Sequence, residues 1–203
     1  QMMLGTNESL FSWMDEGFTS YAESRTLGWL RNAPKENWLE DDYGVYYRLQ
    51  RSGLEEPLST HADHFNTNYA YSAGSYGKGA VFLAQLGYII GEAQLDTVLL
   101  AYYNTWRFKH PNVNDFVRVA EKVSGMELDW YKEYWVNSTK FIDYGLGNIE
   151  QSEGKAELTV KRIGKMPMPI DIEVTYKDGT KELYYIPLNL MYGNKPIENN
   201  TTR

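Results

Sequence analysis

The stretch SWMDEGFTSYAES, residues 12–24, decides how the first part of the chain folds. Its apolar residues Met14, Phe18 and Tyr21 recur at spacings of four and three, which is the period of an amphipathic helix. The same spacing continues to Trp29. We therefore expect a helix over residues 12–30, with Ser12 as its N-cap.

Two glutamates of this helix, Glu16 and Glu23, are seven residues apart. Seven residues make about two helical turns, so both carboxylates lie on one face. Such a pair is usually a solvated acidic stripe. The second interpretation follows from the neighbours, because Trp13, Met14 and Phe18 are apolar and few lysines or arginines stand nearby. A carboxylate in that setting needs a cation.

Helical spacing continues along the chain. It predicts five further helices, at residues 43–51, 75–90, 95–105, 113–123 and 128–136. Three glycines, Gly53, Gly91 and Gly125, follow the ends of three of these segments, where glycine commonly terminates a helix.

After about Lys140 the apolar residues no longer follow the helical period and recur at every second position instead. Ile170, Ile172 and Val174 alternate with polar residues, which predicts a half-buried strand. The pair Asp178-Gly179 predicts a turn into a second arm at residues 180–187, and residues 158–163 predict another strand. The fold class is therefore α+β, a mainly helical part at residues 1–145 followed by antiparallel strands at residues 146–203.

Composition excludes several kinds of protein. The net charge of -7, with a pI near 5.1 and no basic cluster, argues against a nucleic-acid partner. The longest apolar run, from Ala80 to Gly91, is too short to span a membrane and contains Gln85. The chain has no cysteine, and secreted, periplasmic and cytoplasmic locations are all compatible with it. Its 17 tyrosines, 7 phenylalanines and 6 tryptophans suit a packed core or, alternatively, a groove lining.

The residues W-M-D-E-G-F-T-S-Y-A-E resemble the second zinc motif of the gluzincin aminopeptidases, the aminopeptidase N and leukotriene hydrolase family. The resemblance implies that Glu16 is a zinc ligand. In that family a helix with H-E-x-x-H supplies two histidines and a general base, and eighteen residues separate the second histidine from the glutamate. The resemblance thus places that histidine four residues before Gln1, and none of the fifteen residues before Glu16 is histidine.

A second segment, Ser75-Tyr76-Gly77-Lys78-Gly79-Ala80, resembles the family's Y-x-K-G-A motif at the start of a helix. The resemblance implies that Tyr76 is catalytic, and a phenol O–H suits the role because it can donate to a developing oxyanion. Without the resemblance, one tyrosine among 17 is more often a packed aromatic. We expect Gly79 and Ala80 to serve close helix approach, and Lys78 to have no chemical role.

The resemblance also implies that Glu23 hydrogen-bonds a zinc-bound histidine and orients its ring. His61 and His64 have the spacing of two metal ligands. Two histidines in an expected loop are more often ordinary loop residues, however, and the resemblance gives them no metal role. His110 is a weaker candidate for a metal ligand than either of them.

The resemblance covers the helical two thirds of the chain and implies a thermolysin-like catalytic-domain half, followed by the first strands of an antiparallel β-sandwich domain. The first hypothesis is a zinc aminopeptidase that acts on peptide substrates, with this chain inactive alone because its one carboxylate holds zinc poorly. The alternative is a non-catalytic peptide-binding or protein-interaction module on the same fold. Epoxide hydrolysis is a third activity that the family permits.

A missing zinc helix has one physical consequence for the chain itself. The apolar face of the first helix is expected to be uncovered, and exposed apolar surface favours association. We therefore predict self-association through this face.

Overall fold

The computed structural model describes residues 3–191, and the chain divides between Thr139 and Lys140 into two units. The first unit is helical within the described residues. Its elements are α1 (Glu8–Leu30), α2 (Glu40–Ser52), α3 (Asn68–Ser72), a π-helix (Ala73–Lys78), α4 (Gly79–Ile90), α5 (Glu92–Trp106), α6 (Val113–Ser124) and α7 (Asp129–Trp135). Short 3₁₀ turns at Lys35–Asn37 and Ala62–His64 lie in the connecting loops.

Helix α1 is longer than the sequence predicts. It begins at Glu8, and the side chain of Asn7 caps it by accepting a hydrogen bond from the backbone N–H of Ser9. The backbone leaves helical geometry at Phe11, with φ -138° and ψ 47°, so the regular part of the helix starts near Ser12. The prediction of Ser12 as the cap is wrong, because its hydroxyl is buried in a hydrogen bond with Ser75, at 2.7 Å.

The helix predicted over residues 75–90 corresponds in the structure to the end of the π-helix and α4. The short helix α3 lies before it and was not predicted. Helix α3 begins after Thr67, whose hydroxyl accepts a hydrogen bond from the N–H of Ala70 at 3.0 Å. Threonine is a common N-cap residue, so Thr67 could have predicted this start from the sequence. No residue pattern marks a π-helix, since it depends on how its neighbours pack.

The aromatic residues mainly build the core of the helical unit. Trp13 and Phe82 are fully buried and meet edge to face, with ring centroids 4.8 Å apart. The hydroxyl of Tyr131 donates to the backbone oxygen of Phe82 at 2.6 Å, which satisfies the polar tip of a buried ring. Tyr102, Phe116 and Trp135 complete the cluster.

Helix α6 starts with a capping box. The side-chain oxygen of Asn112 accepts from the N–H of Asn114 and of Asp115, while Asp115 accepts from the N–H of Asn112. We expect Asn112→Ala to lower the free energy of unfolding by about 1 kcal/mol, because it leaves these N–H groups without a side-chain acceptor. Chemical denaturation measures this loss. Asn104→Ala, at an exposed position inside α5, is the control and should change stability by less than about 0.5 kcal/mol.

The second unit contains two antiparallel hairpins in its described part. Strand β1 (Tyr144–Ser152) pairs with β2 (Lys155–Arg162), and β3 (Ile170–Thr175) pairs with β4 (Lys181–Ile186). The second hairpin confirms the predicted turn, where Gly179 has φ 85°. Together the helices and hairpins confirm the α+β class.

The sequence did not predict β1. Two glycines interrupt its alternation, and glycine is unfavourable inside strands. Its turn has positive φ at both Glu153 and Gly154, which is the geometry of a two-residue hairpin loop.

The expected boundary after residue 145 falls inside β1, whereas the structural division lies between Thr139 and Lys140. Residues 192–203, the expected polar tail, lie outside the described residues.

None of the described helices has both the length and the apolar character that crossing a membrane requires.

Candidate functional site

Helix α1 and the π-helix bring Glu16 and Tyr76 together, although sixty residues separate them in the chain. The Tyr76 phenol lies beside the Glu16 carboxylate, and the interaction with this carboxylate, followed by burial, raises the pKa of Tyr76 to about 12. Tyr76 is 41% exposed and Glu16 is half-buried, so both face accessible surface. The phenol is therefore protonated at neutral pH and is a hydrogen-bond donor.

Small residues make this approach possible. A β-carbon on Gly17 would lie 2.6 Å from Cα of Gly79, and one on Gly79 would lie 2.9 Å from Cα of Gly17. The two backbones therefore touch next to Glu16. This contact confirms the expectation that Gly79 serves close helix approach, and it adds Gly17 as the partner, which sequence reasoning missed.

Two more ionisable groups lie around Glu16. Burial, followed by the neighbouring carboxylates of Glu16 and Glu8, raises the pKa of the Tyr71 phenol. Burial, followed by the charge of Glu8, raises the pKa of Asp15 to about 6. The ring of Tyr71 also packs edge to face on Phe65, with centroids 5.5 Å apart. The site is therefore acidic, with phenols on one side.

Glu23 lies on the exposed surface of α1, about 10 Å along the helix axis from Glu16. Its charge reaches Asp42 of α2, where it contributes, after burial, to raising the pKa of that carboxyl. Asp42 in turn accepts a hydrogen bond from the hydroxyl of Ser24 at 2.7 Å. The role of Glu23 towards a histidine stays a prediction.

Lys78 is fully buried and forms an ion pair with Glu55, at 2.7 Å, whose side chain is 6% exposed. Its ammonium also donates to the backbone oxygen of Ser138 at 3.1 Å. Burial lowers the pKa of Lys78, and the Glu55 carboxylate opposes this effect. The signal in the sequence was a single lysine in an otherwise small and apolar run, since a buried lysine needs a paired carboxylate.

The histidines form no three-ligand group with acidic side chains within residues 3–191. His61 and His64 stack on each other, with ring centroids 4.9 Å apart, and Nδ1 of His61 accepts from the N–H of Asp63. His110 contacts the backbone oxygen of Gly5 through Nδ1 at 2.7 Å.

The described residues supply part of the donor set that a catalytic zinc ion needs. Such sites use three protein ligands of nitrogen, sulfur or oxygen, and Glu16 offers one carboxylate. Within the described range, the one group of three His, Asp or Glu side chains close enough to share an ion is Glu121, Glu127 and Asp129. Its oxygens already accept the backbone N–H groups of Leu128 and Asp129, at 2.9 and 2.8 Å, which supports the start of α7. Glu16 is compatible with zinc as one ligand of a larger set.

Comparison with known proteins identifies the family of the helical unit. The model of the peptidase family M1 domain matches residues 9–135, the segment that contains both Glu16 and Tyr76. The M1 zinc metallopeptidase from Deinococcus radiodurans has a similar fold, with a TM-score of 0.54, 21% identity and 66% coverage of this chain. A mutant of that enzyme bound to a Tyr-Ser-Ala substrate matches equally well, with the same TM-score, identity and coverage.

A two-domain M1 zinc metallopeptidase mutant bound to L-tryptophan is similar too, with a TM-score of 0.51, 22% identity and 63% coverage of this chain. The chain spans only 29%, 29% and 27% of the length of these three structures.

The match to the peptidase domain over residues 9–135 defines the class of the chain, which is that of the peptidases. More particularly, the chain belongs to peptidase family M1.

Proposed function

We propose that residues 9–135 form the glutamate and tyrosine side of a zinc aminopeptidase site, which hydrolyses N-terminal residues from peptides. The observation that carries this proposal is the close packing of α1 on the π-helix and α4, where Ser12 is hydrogen-bonded to Ser75 at 2.7 Å and Gly17 touches Gly79. This packing brings Glu16 and Tyr76 together at the surface. A packed core tyrosine would instead be buried. Membership of family M1 supports the peptidase class.

The residues have separate roles in this proposal. Glu16 provides one zinc ligand. Glu23, on the surface of α1, hydrogen-bonds a histidine ligand and so orients its ring. Zinc, when bound, activates a water molecule and polarises the peptide carbonyl. When Glu16 ligates zinc, the single O–H of Tyr76 is released from that carboxylate and donates a hydrogen bond to the carbonyl oxygen of the substrate as negative charge develops there.

We further propose that the 203-residue chain is inactive by itself. Zinc sites of this class need three protein ligands and a general base, and Glu16 alone should bind zinc weakly. We expect zinc titration by calorimetry to give no tight site, and aminoacyl-amide substrates to show no turnover with zinc present. Zinc-dependent turnover by this chain would contradict the proposal.

The reading frame upstream of Gln1 gives the sharpest test of the peptidase activity. We expect it to encode H-E-x-x-H, with the second histidine four residues before Gln1. If that motif is absent, the enzyme proposal fails and a non-catalytic peptide-binding module on the same fold takes its place.

A protein that carries the motif also tests Tyr76. We expect Tyr76→Phe to lower kcat by about 10²–10³ because it removes the oxyanion donor. Tyr69→Phe is the matched control, since Tyr69 is 42% exposed and lies only seven residues away on α3. Equal activities of the two variants would contradict the role of Tyr76.

Self-association stays a prediction. The apolar residues Trp13, Met14 and Tyr21 of α1 are buried in the structure. The large exposed apolar residues of this helix lie at its two ends, Leu10 at one and Trp29 with Leu30 at the other. Any association through α1 would therefore use its ends.

A further inference from the structure

The segment from Ala73 to Leu83 exposes a single side chain, that of Tyr76. Its neighbours on both sides, Ser75 and Gly77, are buried, and Lys78 is fully buried. A helix enclosed in this way can place its one exposed side chain in only one direction. The contacts that set the rotation of the π-helix therefore set the direction of Tyr76.

Three kinds of contact hold the π-helix. Towards α1, the hydroxyls of Ser75 and Ser12 are hydrogen-bonded. Towards α2, a β-carbon on Gly77 would lie 2.5 Å from a methyl group of Val45, so the backbone touches that side chain. Towards the loop after α2, Lys78 reaches Glu55. Of these contacts, only the last joins opposite charges.

Lys78 and Tyr76 act on opposite sides of the helix. Residues two apart in a helix lie on roughly opposite sides of its axis, so they do not face each other. A pull on Lys78 towards Glu55 therefore directs Tyr76 the opposite way, towards Glu16. The attraction between two opposite charges is strong when both are buried, because little water screens it.

We propose that Lys78 is a positioning residue for Tyr76, since its buried ion pair with Glu55 holds the rotation of the π-helix and so keeps the phenol against Glu16. The catalytic importance of this placement rests on the proposed function, but the placement itself does not. Lys78 contacts neither substrate nor metal in this proposal.

The test observes the Tyr76 ring in the 203-residue chain by NMR, with the tyrosine ring carbons labelled with ¹³C. Tyr76→Phe identifies the resonance, and Glu16→Ala shows where it moves when the contact is lost. We expect Lys78→Met, which keeps the side-chain volume and removes the charge, to shift the Tyr76 resonance by an amount comparable to Glu16→Ala.

Lys132→Met is the matched control. Lys132 forms a surface ion pair with Asp129 at 2.8 Å, close to the Lys78 distance, but on α7. We expect it to leave Tyr76 unchanged. A folded Lys78→Met protein with a Tyr76 shift no larger than that of this control overturns the proposal.

Should Lys78→Met fail to fold, Glu55→Gln is read by the same criterion, because it keeps the shape of the partner and removes its charge. The measurement needs neither zinc nor peptide. An unmoved resonance therefore overturns the role of Lys78 and leaves the peptidase proposal intact, whereas an inactive peptidase leaves the NMR result unaffected.

Discussion

Gly17→Ala is expected to lower the free energy of unfolding by about 3 kcal/mol, at the upper end of the usual cost of overpacking. The added β-carbon would lie 2.6 and 2.7 Å from Cα and C of Gly79, and 2.9 Å from the backbone oxygen of Ser75. These are backbone atoms of a buried helix, so no side chain can rotate away to make room. The helices must separate, which opens the packed core on both sides.

Gly44→Ala is the control for this substitution. Gly44 also lies inside a helix, α2, but the nearest atom to its added β-carbon is the tip of the Arg48 side chain, at 3.4 Å. Alanine is the better helix former by about 1 kcal/mol, so this variant should be slightly more stable than the natural chain. Chemical denaturation of both proteins measures the difference. If Gly17→Ala is as stable as Gly44→Ala, the contact between α1 and α4 is not tight.

Lys78→Met is expected to lower the free energy of unfolding by about 3–5 kcal/mol. The substitution leaves the Glu55 carboxylate, 6% exposed, without its cation. Removing one partner of a buried ion pair is costly because the remaining charge stays out of water with nothing to compensate it. Thermal and chemical denaturation should both show the loss.

The double variant Lys78→Met/Glu55→Leu separates the effect of the unpaired charge on stability from the effect of altered packing. A buried pair replaced by apolar residues of similar volume is often neutral or stabilising, so most of the lost stability should return. A double variant no more stable than Lys78→Met would mean that the loss comes from altered packing around the π-helix. The coupling energy follows from the cycle completed with Glu55→Leu alone.

The identity of the candidate site was readable from short patterns. The motif around Glu16 and the motif around Tyr76 predicted both residues, and the structure brings the two side chains together where α1 packs on the π-helix. The roles of these residues in catalysis stay predictions. Lys78 shows the limit of prediction from the sequence. A buried lysine in a small and apolar run must have a carboxylate partner, but the sequence alone does not distinguish Glu55 from Glu56 or other carboxylates.

The sequence by itself determined the described α-helices other than α3 and the Asp178-Gly179 hairpin, because periodicity and turn chemistry are local properties that reflect hydrogen bonds between near neighbours. Only the tertiary structure decided the π-helix, the contact of Gly17 with Gly79, and the pairing of Ser12 with Ser75. These contacts join residues about sixty positions apart. They depend on which surfaces pack together when the core forms, and no local pattern encodes that choice.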